Sequence, residues 1–126
     1  MDRKRLGQHG EQAAARYLIN EGYVILDQNW RSEHGEIDLI AQSANELVFV
    51  EVRTRASSRY GTPEDSLTQD KAKRLILTAQ AYLEAHSSDQ TNWRIDLIAI
   101  ECEPAGIVIR LDHYPHALAD YLDQIQ

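Results

Sequence analysis

Gly35 to Arg55 reads GEIDLIAQSANELVFVEVRTR. Two strand-like runs, Glu36 to Gln42 and Glu46 to Arg55, flank a short polar turn at Ser43, Ala44 and Asn45. Both runs are rich in Ile, Leu, Val and Phe, yet each carries an acid inside the apolar pattern. Asp38 sits between Ile37 and Leu39, and Glu51 between Val50 and Val52. Burying an unpaired carboxylate costs several kcal/mol, comparable with the whole stability of a small domain. These acids therefore require a cation or hydrogen-bond donors.

Strand alternation puts Leu47, Phe49, Glu51 and Arg53 on one face and Val48, Val50 and Val52 on the other; on the first run Glu36, Asp38 and Ile40 share a face. In a hairpin, one register sets Asp38 on the same side as Glu51. An acid on one strand and acid-x-base on its neighbour is the spacing of a divalent-metal phosphodiesterase site. There two carboxylates hold Mg²⁺ (or Mn²⁺) and a nearby cation faces the phosphate.

Asp38 followed by Glu51-Val52-Arg53 resembles the PD-(D/E)xK nuclease superfamily, with its restriction-endonuclease-like fold. More of the chain is similar to the small bacterial YraN-like family. The matching pieces are Gly7-x-x-Gly10-Glu11-x-x-Ala14, Asn29-Trp30-Arg31, Gly35-Glu36-Ile37-Asp38-Leu39-Ile40-Ala41, Phe49-Val50-Glu51-Val52-Arg53-Thr54-Arg55, Lys71 before a long helix, and Arg94-Ile95-Asp96. They span almost the whole chain and are specific only together. The resemblance implies a metal site of Asp38, Glu51, Glu11 and the Val52 carbonyl, with Asp38, Glu51, Arg53 and Glu11 carrying the chemistry. Glu11 matches a first-helix acid of related nucleases; by helical pattern alone it reads as a surface residue. The implied substrate is nucleic acid, DNA before RNA, with Arg31, Arg55, Arg59, Lys71 and Arg74 meeting it.

One departure matters. Where the superfamily usually has Lys, this chain has Arg53. Arginine stays charged under ordinary conditions and cannot act as a general base. It can still stabilise a phosphate bidentately. The substitution bears on catalysis more than on binding. Three readings therefore stand: a metal-dependent endonuclease, a non-catalytic nucleic-acid-binding module on the same scaffold, and a structural protein whose acids pair with Arg31, Arg53 and Arg94.

A length of 126 residues suits one domain, and 43% hydrophobic with 26% charged residues is ordinary for a soluble one. No apolar run approaches the roughly 20 residues of a membrane span, and no signal peptide is visible, so the expectation is cytoplasmic with no membrane partner. The single cysteine, Cys102, excludes an internal disulfide framework and a cysteine-based zinc site. The sequence leaves a homodimer open. A net charge of −7 argues against simple nucleic-acid binding, but its distribution softens this: residues 1–74 carry −1 and residues 75–126 carry −6. The basic residues crowd the part that holds the candidate site.

Taken in order, Arg5 to Gly22 reads as a helix with Leu6, Gly10, Ala13, Ala14, Tyr17 and Leu18 on one face. Tyr23 to Trp30 is a strand and Arg31 to His34 a polar connection. Glu36 reads as an exposed strand residue slightly more than as support for the site. After the hairpin, Ala56 to Leu67 reads as a mobile loop whose Arg59 and Tyr60 suit a phosphate backbone and a base. Thr68 to His86 is the clearest helix, capped by Thr68, with Lys71, Lys73 and Arg74 near its start. Trp93 to Glu101 and Ile107 to Leu111 are strands, and Ala117 to Gln126 a short acidic helix. Asp96 is expected to pair structurally with Arg94 or Arg31. The His113-x-x-His116 spacing is a poor metal motif, interrupted by Pro115. The order α-β-β-β-α-β-β-α predicts a mixed central sheet flanked by helices, the restriction-endonuclease-like α/β class.

Overall fold

The computed structural model describes residues 1–56, 61–86 and 92–125, with backbone alone for 123–125. Its elements follow the order expected from the sequence. They are α1 (Arg3–Asn20), β1 (Val24–Ser32), β2 (Gly35–Ser43), β3 (Glu46–Arg55), a 3₁₀ turn (Glu64–Ser66), α2 (Gln69–Ala85), β4 (Trp93–Cys102), β5 (Val108–Tyr114) and α3 (Ala119–Ile125). The strands form one sheet in chain order, β1-β2-β3-β4-β5. All neighbours are antiparallel except β3 and β4, which run parallel because α2 carries the chain back between them.

Helices cover both faces. On one face Ala72, Leu75, Ile76, Ala79 and Tyr82 of α2, with Leu118 just before α3, pack against Ile37, Ile40, Leu47, Phe49 and Ile95, and Tyr121 and Leu122 of α3 lie against the same cluster. On the other, Ala13, Ala14 and Leu18 of α1 pack against Leu39, Val48, Val50, Val52, Ile98 and Ile100. The expected alternation of β3 holds, and β4 is buried on both faces from Ile95 to Ile100. Both long helices start on side-chain caps: Asp2 accepts from the Arg5 amide at 2.8 Å, and Thr68 from the Lys71 amide at 3.3 Å. No helix among the described residues is long and apolar enough to cross a membrane.

The structure corrects three sequence expectations. Arg31 and Ser32 belong to β1, paired with Glu36 and Gly35, so the polar connection shrinks to Glu33 and His34. Strand β5 runs on to Tyr114 and takes in His113. The second half of the expected mobile loop is built structure: Ser66 is buried and the turn rests on hydrogen bonds from the Ser66 and Leu67 amides to the Pro63 and Glu64 carbonyls. Arg59 and Tyr60 lie outside the described residues.

Gly10 fixes how closely α1 approaches the sheet. A Cβ there would stand 1.9 Å from Thr54 Oγ1 and 2.9 Å from Thr54 Cβ. Gly10→Ala is expected to push α1 off β3 and destabilise the protein by roughly 1–3 kcal/mol, the usual cost of overpacking. Thr54→Ala should restore part of that loss, since Thr54 Oγ1 is buried with no hydrogen-bond partner among the described residues. Thermal denaturation of the two single variants and the double variant measures this; equal losses in Gly10→Ala with and without Thr54→Ala would refute it.

Candidate metal and nucleic-acid site

The site lies where β2 and β3 part. Their ladder ends at Leu39 opposite Val50. Beyond it, the Val52 amide donates to Asp38 Oδ2 at 2.8 Å. Asp38 thus supplies the acceptor that the sheet stops supplying. Carried one residue further, that ladder sets Asp38 opposite Glu51; the alternation of β2 breaks only beyond Asp38, where Ile37 packs beneath α2 as Ile40 does. Opposite Asp38, Asn29 of β1 has φ 51°. Alternation from Ile40 to Asp38 and from Phe49 to Glu51 therefore puts the two acids on one face as expected, and their carboxyls lie against each other. Burial, then the Glu51 hydrogen bond and charge, push the Asp38 pKa up to about 9, against the pull of the Val52 amide.

Cations face this pair. Arg53 Nη1 lies 3.6 Å from Glu51 Oε2. Its Nε donates to Ser66 Oγ at 2.6 Å, and Ser66 Oγ donates to the Pro63 carbonyl at 2.6 Å. Lys71 Nζ donates to the Ser66 carbonyl at 3.1 Å. One buried serine therefore aims two cations. Glu36, Glu51, Arg53, Lys71 and Arg74 line a small pocket of about 190 Å³. Arg53 and Lys71 also line a wider cleft of about 540 Å³ with Arg3 and Arg55. Glu36 and Arg74 line a third of about 470 Å³ with Arg31 and His34. Shared walls join the three into one trough, acidic at its centre and cationic along its length.

Glu11 enters from α1 through an intermediary. Asn29 Nδ2 donates to Glu11 Oε1 at 2.7 Å and to Glu36 Oε1 at 2.8 Å. Burial raises the Glu11 pKa, the Asn29 bond lowers it, and the charges of Asp38 and Glu36 raise it further. Glu36, also 3.0 Å from Arg31, is therefore part of the site and not the merely exposed residue its sequence suggests.

Residues 10–100 match the model of the Uncharacterised protein family UPF0102. The chain is a UPF0102 protein. This is the YraN family read from its motifs. It is 42% identical over 119 residues to a UPF0102 protein of Roseiflexus castenholzii, covering 94% of this chain and 96% of that one. It is 48% identical over 95 residues to one of Rhodococcus opacus (75% and 80% covered) and 47% identical over 103 residues to one of Symbiobacterium thermophilum (82% and 87% covered). Among solved structures, the Pyrococcus furiosus protein SfsA in complex with Ca²⁺ is similar at a TM-score of 0.41 and 15% identity. That likeness covers 86% of this chain and 62% of SfsA. The UPF0102 match takes in Glu11, Asp38, Glu51, Arg53 and Lys71 and stops before β5.

Among the described residues, no three Asp, Glu, His or Cys side chains stand close enough to hold an ion by themselves. The donor set nonetheless fits Mg²⁺ in kind. Two hard carboxyls held side by side are the oxygen donors such an ion takes, and Mg²⁺ typically keeps several waters beside one or two carboxylates. Glu11, tied to Asn29, fits contact through water better than direct contact.

Asp96 belongs to a different network of the UPF0102 fold. Fully buried, it accepts from Arg94 Nε at 2.9 Å and the His116 amide at 3.1 Å, and lies 2.7 Å from His113 Nε2. Arg94 also bonds Glu46 and the Tyr23 hydroxyl. Burial alone would raise the Asp96 pKa, but these bonds together hold it below the ordinary value. The structural pairing expected with Arg94 is present; Arg31 goes to Glu36 instead. Sequence reasoning missed Asn29, Ser66 and Arg3. A non-glycine residue at positive φ is uncommon except for Asn and a few others, which is the one faint signal for Asn29. Ser66 and Arg3 carry none.

Proposed function

We propose that this protein is a metal-dependent phosphodiesterase acting on nucleic acid, DNA before RNA. The observation that carries this reading is the carboxyl pair of Asp38 and Glu51, held against each other at the break between β2 and β3, at the centre of a trough lined by Arg53, Lys71 and Arg74. Asp38 and Glu51 would hold Mg²⁺ or Mn²⁺ with the Val52 carbonyl, and Glu11 would orient a coordinated water through its carboxylate. When bound, the metal supplies Lewis acidity and lowers the pKa of a bound water. The chain's own residues do the rest. Arg53, fixed by Ser66, faces the scissile phosphate with its Nη groups. Lys71 adds charge beside it. Arg3, Arg31, Arg55 and Arg74 hold the flanking phosphates without reading sequence.

A non-catalytic binding module is the second reading, favoured by one observation: position 53 is an arginine, which cannot take a proton from water. The deciding experiment is incubation of supercoiled and branched DNA with the full chain in Mg²⁺ or Mn²⁺, beside Asp38→Ala. Cleavage lost in Asp38→Ala supports the phosphodiesterase. Binding without cleavage in either protein supports the module.

A further inference from the structure

A second cleft, of about 720 Å³, opens on the same sheet face as Glu51 but over β4 and β5. The pairings put Glu51, Leu97 and Tyr114 in one row across β3, β4 and β5. Two strand spacings, roughly 10 Å, thus separate the carboxyl pair from Tyr114. The segment Thr62–Leu67 forms the wall between: Ser66 holds Arg53 on one side, and Glu64 faces the cleft on the other.

The cleft's chemistry is opposite to that of the trough. Its walls are Leu67, Leu97, Ala117 and the Tyr114 ring, with Glu64 and Glu101 at the rim. Arg110 is shared by three carboxylates: Glu64 at 2.8 and 3.0 Å, Glu101 at 2.7 Å and Asp112 at 2.5 Å. Three carboxylates around one guanidinium leave a surplus of negative charge and unfilled acceptor sites. Tyr114, 41% exposed, keeps its hydroxyl on Glu64 at 2.6 Å and leaves its ring accessible. A polyanion is repelled here. A cation on an apolar stem fits, with methylenes on the apolar walls, charge among the carboxylates and a ring face alongside.

Strand β5 extends the surface. It is the edge of the sheet, with no strand on its outer side among the described residues. Alternation puts Arg110, Asp112 and Tyr114 toward the cleft; Ile109, the extra residue in a bulge where Cys102 pairs with Val108, is 60% exposed, and Ile107 just before the strand is 62% exposed. An added segment would meet carboxylates along the strand and exposed isoleucines at its bulged start. A second copy of this chain is disfavoured, because it would bring the same negative surplus against itself.

We propose that β5 and the cleft beside it dock an extended segment of a partner protein in which basic and apolar residues alternate. The inference does not depend on the metal site. The test is an amide-shift titration of the ¹⁵N-labelled full chain with an acetylated hexapeptide alternating leucine and arginine. Shifts should concentrate at Leu97, Glu101 and Ile109 to Tyr114, and the version with glutamate for arginine should leave them unmoved. Tyr114→Leu should weaken binding about threefold to fivefold, the worth of an exposed cation–π contact. Glu101→Gln with Asp112→Asn should weaken it about tenfold, as two partly exposed ion pairs would. Shifts confined to other surfaces, equal binding of the glutamate peptide, or unchanged affinity in both variants would overturn the proposal. So would an unpaired oligonucleotide moving the same amides, or peptide-free dilution moving them, which would mean that β5 pairs with a second copy.

Discussion

Arg53→Ala is expected to slow cleavage by about a hundredfold or more, because one preorganised charge on the reacting phosphate in a dry site is worth that much. Arg53→Lys should stay within about tenfold of the parent protein, a barrier change of about 1.4 kcal/mol. The two substitutions separate two chemistries. If position 53 must take a proton, the parent should be nearly inactive and Arg53→Lys should gain cleavage. If it must only hold charge, lysine serves almost as well as arginine. The structure favours charge: Arg53 Nε is committed to Ser66 at 2.6 Å and Nη1 stands 3.6 Å from Glu51, a placement for orientation and not for proton transfer. Rates of the three proteins on one DNA under one metal decide it. Equal rates for the parent and Arg53→Ala would remove Arg53 from the chemistry.

Asp38→Asn should bind Mg²⁺ and Mn²⁺ poorly and yet be more stable than the parent in the absence of metal above neutral pH. Burial and Glu51 raise the Asp38 pKa from 3.8 to about 9. Between those values the folded protein retains a proton that the unfolded chain has released. Stability of the metal-free protein therefore falls as pH rises through this window, and is fullest at its acid end. An asparagine carries no charge to bury, can still accept from the Val52 amide and can donate to Glu51. The gain at pH 8 should be on the order of 2 kcal/mol, shrinking toward nothing near pH 4. Mg²⁺ should then reverse the order, since an ion that binds only the folded parent stabilises it by mass action. Melting curves in chelator at pH 5 and pH 8, repeated with Mg²⁺, test each part; a lower melting point for Asp38→Asn in chelator at pH 8 would contradict the raised Asp38 pKa.

Sequence reading reached the element order and the two helix faces because periodicity is a property of the segment itself. Ala72, Leu75, Ile76, Ala79 and Tyr82 recur at helical spacing and all are buried. It placed Glu51 and Arg53 on one face because β3 alternates without interruption. Along β2 the same rule carries from Ile40 to Asp38 and sets Asp38 on the Glu51 side. What alternation does not contain is the break just beyond Asp38, which returns Ile37 to the face of Ile40. Long-range pairing was the least legible. Nothing local marks Ser66 as the anchor of Arg53, or Asn29 as the link from Glu11 to Glu36, since each acts on residues many positions away. Glu64 to Leu67 looked structureless in the sequence because its order comes from partners elsewhere: Arg53 and Lys71 on one side, Arg110 and Tyr114 on the other.

The most direct measurement is a calorimetric titration of Mg²⁺ and Mn²⁺ into the parent protein, Asp38→Asn and Glu51→Gln at one pH in two buffers of different ionisation heat. The carboxyl-pair account predicts that the parent binds a divalent ion with release of a proton. Each variant should bind at least about tenfold more weakly, as loss of one charged ligand requires. Equal affinity in all three proteins, or no binding by the parent, would contradict it.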